Sequence, residues 1–257
     1  MKIHKIQGDI SSEVAKSFKD SIAIDTEATG LLIPERDKLS LVQICSEGGD
    51  AYIIQPDRTN YKMPNLVSVL ENDKILKIGH FLRFDKSALE FFLKCKMKSI
   101  FCSKIASRLA RTYSSEHGLK NLVQEFCGKK IDKKYGSSDW NKDLDELSDN
   151  QLQYAANDVI YLHKIKQELS KMLLRENRMD LFKNCMNFLE TRVELDPVVL
   201  TMCSSPLGML LLFTYSSITF MNSPPYFFAL LSPTPYIFFI SCIFMGYLNV
   251  ISLIDVS

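Results

Sequence analysis

The chain has 257 residues, 46% of them apolar, with 31 Lys plus Arg against 30 Asp plus Glu, which is enough for one large domain or two small ones around a sizeable core. The net charge of +1 excludes a histone-like or strongly basic binder and confines any nucleic-acid surface to a local patch. Seven Cys without metal-like or disulfide spacing, and four dispersed histidines (His4, His80, His117, His163), argue for reduced thiols and against a structural metal.

The opening stretch, MKIHKIQGDISSEVAKSFKD, lacks an apolar core of signal-peptide length, so the expected location is the cytoplasm. SIAIDTE alternates as a strand, and LSLVQIC, the turn SEGGD and AYIIQP read as a hairpin, which makes three strands in a row. A short helix opened by Pro64, an apolar strand KILKIG and a helix KSALEFFLKC follow, the last with Ala88, Leu89, Phe92 and Leu93 on one side. Further helices are expected from Ser103 to Thr112 and from Leu119 to Phe126, the second stopped by Gly128. A polar loop, GKKIDKKYGSSDWNKDLDE, leads to a long helix that starts at Ser148 with a capping-box pattern to Gln151 and keeps helical apolar spacing to Leu169. Strands first and helices after, with one later strand, predict a mixed sheet flanked by helices. There is no internal repeat.

Three places carry the chemistry. Asp25 and Glu27 are two apart in a strand, so both carboxylates leave the same face just before the loop at Gly30. Two like charges so close need either a raised pKa or a cation between them. Asp85 follows an apolar strand at the start of a helix, where the helix dipole alone could account for it. Tyr154 and Asp158 are four apart on the long helix and share a face beside its apolar stripe, so Asp158 needs a partner.

Taken together, Asp-x-Glu on the first read strand, the later Asp85 and Tyr-x-x-x-Asp on a helix resemble the three exonuclease motifs of the DEDD superfamily. The tyrosine four before the last aspartate, with Gln153 rather than histidine before it, is similar to the tyrosine subclass. HGLKNLV, SSDW and QLQYAANDVIYL, in that order, resemble the exonuclease domain of ribonuclease D over about Ile6 to Asp196. The resemblance implies a ribonuclease H-like α/β fold, with three antiparallel strands followed by parallel ones and flanking helices. It also implies two divalent cations, Mg2+ or Mn2+, which suit hard oxygen ligands and can stabilise both sides of a phosphodiester displacement.

By the family pattern, Asp25, Glu27 and Asp158 would hold the ion that activates water, Asp25 would bridge to the second, and Asp85 would support that second site through water. Tyr154 would orient the attacking water, since a phenol of pKa about 10 is a poor free base. Thr26, His80, Phe81, Arg83, Lys120, Ser138 and Trp140 are the implied nucleic-acid contacts, with Phe81 suited to stack on a base and Phe84 to the core. The lysines of GKKIDKK are either a phosphate-tracking patch or a solvated loop. The implied activity is a metal-dependent 3'-to-5' exoribonuclease that releases mononucleotides from single-stranded or 3'-tailed RNA, with tRNA precursors the family-suggested substrate. A DNA exonuclease of the Werner or proofreading kind and a catalytically decayed nucleic-acid-binding module remain as alternatives. No protein partner is inferable.

The charge average hides a break. From Pro197 to Ser257 the only charged residue is Asp255, while the same stretch holds 11 of 27 aromatics and six of nine prolines. Residues 1 to 196 are therefore expected to form the exonuclease domain and 197 to 257 an uncharged hydrophobic tail in which no domain, including the helical C-terminal domains of longer ribonuclease D proteins, is recognisable. Two explanations compete for that tail. Tyr236 to Ile254 is 19 uncharged residues, long enough for a membrane anchor. A reading frame shifted near Asp196 is the favoured alternative, because family resemblance stops there, no Lys or Arg flanks the apolar stretch, and prolines punctuate the region.

Overall fold

The computed structural model of the chain describes residues 2–30, 37–131, 135–136 and 138–204, with side chains up to Leu195. The chain divides into two units, Met1–Glu194 and Leu195–Ser257, and the described strands belong to the first. Six strands form one sheet: β1 (Ile3–Gln7), β2 (Ser21–Ala28), β3 (Leu39–Ser46), β4 (Ala51–Gln55), β5 (Leu76–Gly79) and β6 (Ile100–Cys102), in the order β1-β4-β3-β2-β5-β6. The β2–β3 and β3–β4 pairs are antiparallel, as the hairpin pattern predicts, and the outer pairs β1–β4, β2–β5 and β5–β6 are parallel. This is the mixed, helix-flanked sheet of a ribonuclease H-like nuclease fold.

The helices are α1 (Ser12–Ser17), α2 (Pro64–Glu71), α3 (Arg83–Leu93), α4 (Ser103–Ala110), α5 (Leu119–Cys127), α6 (Asp149–Ile160), α7 (Leu162–Arg175) and α8 (Met179–Ser204), with a short 3-10 turn at Leu144–Glu146. Pro64 opens α2 where its missing N–H costs nothing, and Gly128 ends α5 in the left-handed conformation at φ 64°. Ser148 and Gln151 cap α6 reciprocally.

Several features differ from the sequence expectation. In place of one later strand there are two, β5 and β6, the second only three residues long and too short to show a period. β1 and α1 precede the first strand that was read, because neither carries a buried residue for periodicity to detect; β1 exists through its parallel ladder with β4. The single long helix is two, broken at Tyr161. The break lets α6 cover β1 to β4 while α7 turns onto α4, α5 and β5, and the apolar spacing runs through because both halves bury a face.

The main core fills the space between the sheet and α2, α3, α4, α5, α7 and α8. A second, smaller cluster lies under α6, where Leu152, Ala155 and Ala156 meet Leu41 and Ile53 of the sheet together with Trp140 and Leu144. Lys86, fully buried on α3, is held by Glu90, by the Met97 carbonyl at 2.9 Å and by Glu190 of α8 at 3.2 Å. Among the described residues, no helix is long and apolar enough to cross a membrane. The apolar stretch Tyr236 to Ile254 lies outside the described residues, as does the tail beyond Ser204.

Candidate active site

β2 lies inside the sheet between β3 and β5, and its C-terminal end carries Asp25, Thr26 and Glu27. Strand alternation turns Asp25 and Glu27 to one face and Thr26 to the other. A register irregularity between Glu27 and Ala28 breaks the pairing with β3 just past the acids, the kind of bulge that re-aims side chains at a strand end. α6 brings Asp158 over the same face. Carboxylate oxygens of Asp25, Glu27 and Asp158 all lie within 4.8 Å of one another, and all three side chains are partly buried.

Asp85 stands outside this trio but close to it. It is buried in the first turn of α3, and its Oδ1 accepts a 2.6 Å hydrogen bond from the Thr26 hydroxyl. One strand end thus serves both sides, with Asp25 and Glu27 facing α6 and Thr26 reaching α3.

The electrostatics follow from this crowding. Burial, then the charges of Asp85, Asp158 and Glu27, holds Asp25 well above the usual carboxylate range. Burial and the same neighbouring acids push Glu27 up to about 9. Asp85 is raised less, to about 6, because burial is offset by the hydrogen bonds from Thr26 and the backbone. Tyr154, one turn before Asp158 on α6, is hydrogen-bonded to it, and its hydroxyl is pushed upward by burial and by the acids. The phenol ring packs against Trp140 at 6.2 Å between centroids, and Trp140 is itself buried in the small cluster under α6. The carboxylates of Asp25, Glu27 and Asp158, with Asp85 beside them, are hard oxygen donors that suit a divalent cation such as Mg2+ or Mn2+, whose charge would offset the burial and repulsion that raise these pKa values.

The expected nucleic-acid contacts fall in different places. His80 and Phe81 form the corner between β5 and α3, and both are partly buried. Phe81 takes a left-handed backbone at φ 60°, an uncommon conformation for a bulky residue, and its ring lies 4.0 Å from the Lys104 ammonium and 5.8 Å from the Arg83 guanidinium. Phe84 packs on the main core. Lys120 is exposed on α5, beside a cleft shared with Arg111 and Lys130, and Ser138 lies in the loop before Trp140. Of the lysines in GKKIDKK, Lys129 and Lys130 are exposed, and Lys133 and Lys134 fall outside the described residues.

Three residues near the acids were not singled out from the sequence. Gln43 stands directly opposite Asp25 in the β2–β3 ladder with a fully buried amide that has no hydrogen-bond partner among the described residues. Ser103 bonds His80, and Lys104 covers Phe81. The QIC of LSLVQIC, a polar residue inside an apolar strand, was the available signal for Gln43. Nothing local marks Ser103 or Lys104.

A family model described as 3'-5' exonuclease matches residues 6–174. DNA polymerase I of Aquifex aeolicus (strain VF5) is 33% identical over 157 residues, which is 58% of this chain and 24% of that protein. Ribonuclease D of Gluconacetobacter diazotrophicus is 28% identical over 162 residues, 62% of this chain and 39% of that protein. The chain therefore spans from about a quarter to two fifths of the length of these curated relatives. The solved structure of Brucella melitensis NrnC bound to pGG is 40% identical with a TM-score of 0.73, covering 80% of this chain and 98% of that one. The same nuclease with bound Mg2+ is 41% identical with a TM-score of 0.71, covering 77% of this chain and 94% of that one. With the family model matching residues 6–174 and NrnC covered almost end to end, the chain belongs to the 3'-5' exonuclease family of the DEDD superfamily.

Proposed function

We propose that the protein is a metal-dependent exoribonuclease that removes mononucleotides from the 3' end of unpaired RNA, with short oligonucleotides ahead of tRNA precursors as its substrates. The observation that carries this reading is the trio Asp25, Glu27 and Asp158, three carboxylates within 4.8 Å on one sheet face under α6. The relatives support the choice of RNA: NrnC is solved with pGG, and ribonuclease D shares the fold-bearing region.

In this reading Asp25, Glu27 and Asp158 would hold one divalent cation, and Asp85 would help to hold a second. Bound there, the cations would lower the pKa of a coordinated water and neutralise charge that develops on the phosphoryl and leaving oxygens. Tyr154 orients the attacking water through its hydroxyl. Its raised pKa keeps it protonated at neutral pH, so it positions and does not act as a free base. Thr26 holds Asp85 in place through its hydroxyl. Phe81, with the Lys104 ammonium over its ring and the Arg83 guanidinium nearby, joins an aromatic side chain to cationic charge, the combination that binds single-stranded ends.

A second reading, DNA as substrate, is favoured by the match to DNA polymerase I. One assay separates the two. Matched 5'-labelled RNA and DNA strands are incubated with the purified chain, in chelator and then with Mg2+ or Mn2+. Stepwise shortening of RNA from the 3' end, absent in chelator and slower on DNA, is the expected result. Equal or faster loss of DNA would replace the substrate assignment, and hydrolysis that persists in chelator would reject the metal-dependent reading.

A further inference from the structure

Gln43, in the middle of β3, is fully buried, and neither its amide nitrogen nor its amide oxygen has a hydrogen-bond partner among the described residues. A buried amide is costly to leave unpaired and most are paired, so this one calls for a physical reason. In the ladder Gln43 stands opposite Asp25 of β2 on one side and Ile53 of β4 on the other, and residues directly opposite in antiparallel strands share a face. Its neighbours along β3 on that face are Leu41 and Cys45.

Of these neighbours only Asp25 can answer the amide. Leu41 and Ile53 are apolar and lie under α6 with Ala155 and Ala156. The Cys45 thiol is turned to the carbonyls of Ser46 and Gly49, at 3.2 and 3.8 Å. Gln55, two residues past Ile53, has both ends of its own amide in use: Nε2 donates to the Lys142 carbonyl and Oε1 accepts from the Leu144 N–H, each at 2.9 Å. Glu27 is on the other diagonal, beyond Asp25. Cβ atoms of directly opposite residues are about 5 Å apart, closer than a diagonal pair, so the Asp25 carboxyl is the one that the Gln43 amide reaches by a change of side-chain torsions alone. Asp25 can use the donor. A carboxylate only accepts, at two oxygens, and one that holds a cation is fixed in orientation by the hydrogen bonds it receives. Asp85 has such a donor in the Thr26 hydroxyl at 2.6 Å, whereas Asp25 draws a hydrogen bond from the Thr26 backbone.

We propose that Gln43 is a positioning residue for the cation site: its amide N–H donates to the Asp25 carboxylate when Asp25, Glu27 and Asp158 take up a divalent cation, and holds Asp25 in the orientation that binds it. The proposal rests on the cation-binding reading above. The unpaired amide belongs to the metal-free chain, and the cation supplies the state in which it is paired. Gln43 therefore makes the empty site less stable and the loaded site tighter, two effects of opposite sign that a group serving the fold alone would not combine.

Gln43→Met keeps an unbranched side chain of similar length and removes both polar ends of the amide. Thermal melts of the full chain in chelator should place the variant above wild type, by about 2 °C or more, since an unpaired buried amide has been removed. Calorimetric titration with Mg2+ alone, without nucleic acid, should show weaker binding by the variant, toward the roughly 10- to 100-fold that losing the support of a metal ligand costs. A variant that melts no higher than wild type in chelator would show an amide already paired in the metal-free chain, and a Mg2+ affinity within about threefold of wild type would show no action on the ligands; either result overturns the proposal. If Gln43→Met fails to fold, the wild type decides: the side-chain amide protons of Gln43, assigned in 15N-labelled full chain, should move downfield on addition of Mg2+, and unmoved protons would overturn the proposal. A wild type that takes up no Mg2+ would sink the cation-binding reading and this proposal with it, whereas equal Mg2+ binding by wild type and Gln43→Met would sink this proposal and leave that reading standing.

Discussion

Replacing Glu27 by Gln should stabilise the metal-free protein at neutral to alkaline pH while it disables the site. The carboxylates of Glu27, Asp25 and Asp158 lie within 4.8 Å of one another. Two unit charges at that distance repel by about 3.5 kcal/mol at an effective dielectric of about 20. Burial foremost, and then the charges of Asp158 and Asp85, keep Glu27 protonated in the folded protein, its pKa pushed up to about 9. A carboxyl whose folded pKa is raised contributes stability that is fully present below the unfolded value, about 4.5, and is lost as pH rises toward about 9. Taken at face value, the shift corresponds to about 4 to 5 kcal/mol lost by about pH 8. Partial solvent access to Glu27 and relaxation of its neighbours reduce this, and about 2 kcal/mol is the expected gain for Glu27→Gln. In a domain of this size the gain raises the melting temperature by about 4 to 8 °C. Thermal melts in chelator between about pH 4.5 and pH 8.5 measure it directly: the two proteins should nearly coincide at the acid end and separate steadily as pH rises. Saturating Mg2+ should then raise the wild type more than the variant, by about 2.7 kcal/mol at a hundredfold excess over Kd, and shrink the gap. A variant no more stable than wild type at about pH 8, or equally shifted at both ends of the range, would refute the account of Glu27 as a buried carboxyl crowded by other acids.

Asp158→Asn should abolish exonuclease turnover, by roughly 1000-fold or more, without lowering the melting temperature in chelator; a variant that keeps a tenth of wild-type activity would remove Asp158 from the ligand set. Tyr154→Phe should cost roughly 10- to 1000-fold in kcat, the range of one positioned hydrogen bond at a reacting centre, with the Mg2+-induced rise in melting temperature unchanged. Unaltered turnover in that variant would reject the orienting role. Gly79→Ala should destabilise the chain by about 1 to 3 kcal/mol, because its Cβ would press on the Ile24 carbonyl at 3.2 Å and on Leu82, which is fully buried and has little room to move aside; a denaturant midpoint equal to wild type would show that the β5–α3 corner yields more than its packing implies.

Much of the candidate site was legible because its two halves are local patterns. Asp25 and Glu27 share a face by the period of a strand, and Tyr154 and Asp158 share one by the turn of a helix, so each pair could be placed from spacing alone. The capping box at Ser148, the Pro64 start of α2 and the Gly128 stop of α5 were equally readable, since each is a contact of the backbone with residues at most a turn away. β1 and the division at Tyr161 were not. β1 has no buried face and depends on pairing with β4, which lies 48 residues further along, and the apolar stripe continues unbroken across Tyr161 because α6 and α7 both bury a side, against different partners.

The order of residues by itself placed two local pairs, Asp25 with Glu27 on a strand and Tyr154 with Asp158 on a helix, and left Asp85 as a lone acid at a helix start. Only the tertiary structure decided how the pairs meet and what holds them. The hydrogen bond from Thr26 to Asp85 joins residues 59 apart, the bond between His80 and Ser103 spans 23, and Gln43 comes to face Asp25 through the β2–β3 ladder. The same is true of the raised pKa values, which come from burial and from carboxylates brought together by different elements. Such contacts leave no periodic trace in the chain, because the position of each partner is set by the whole sheet and its packed helices and not by the dihedral angles of the residues between them.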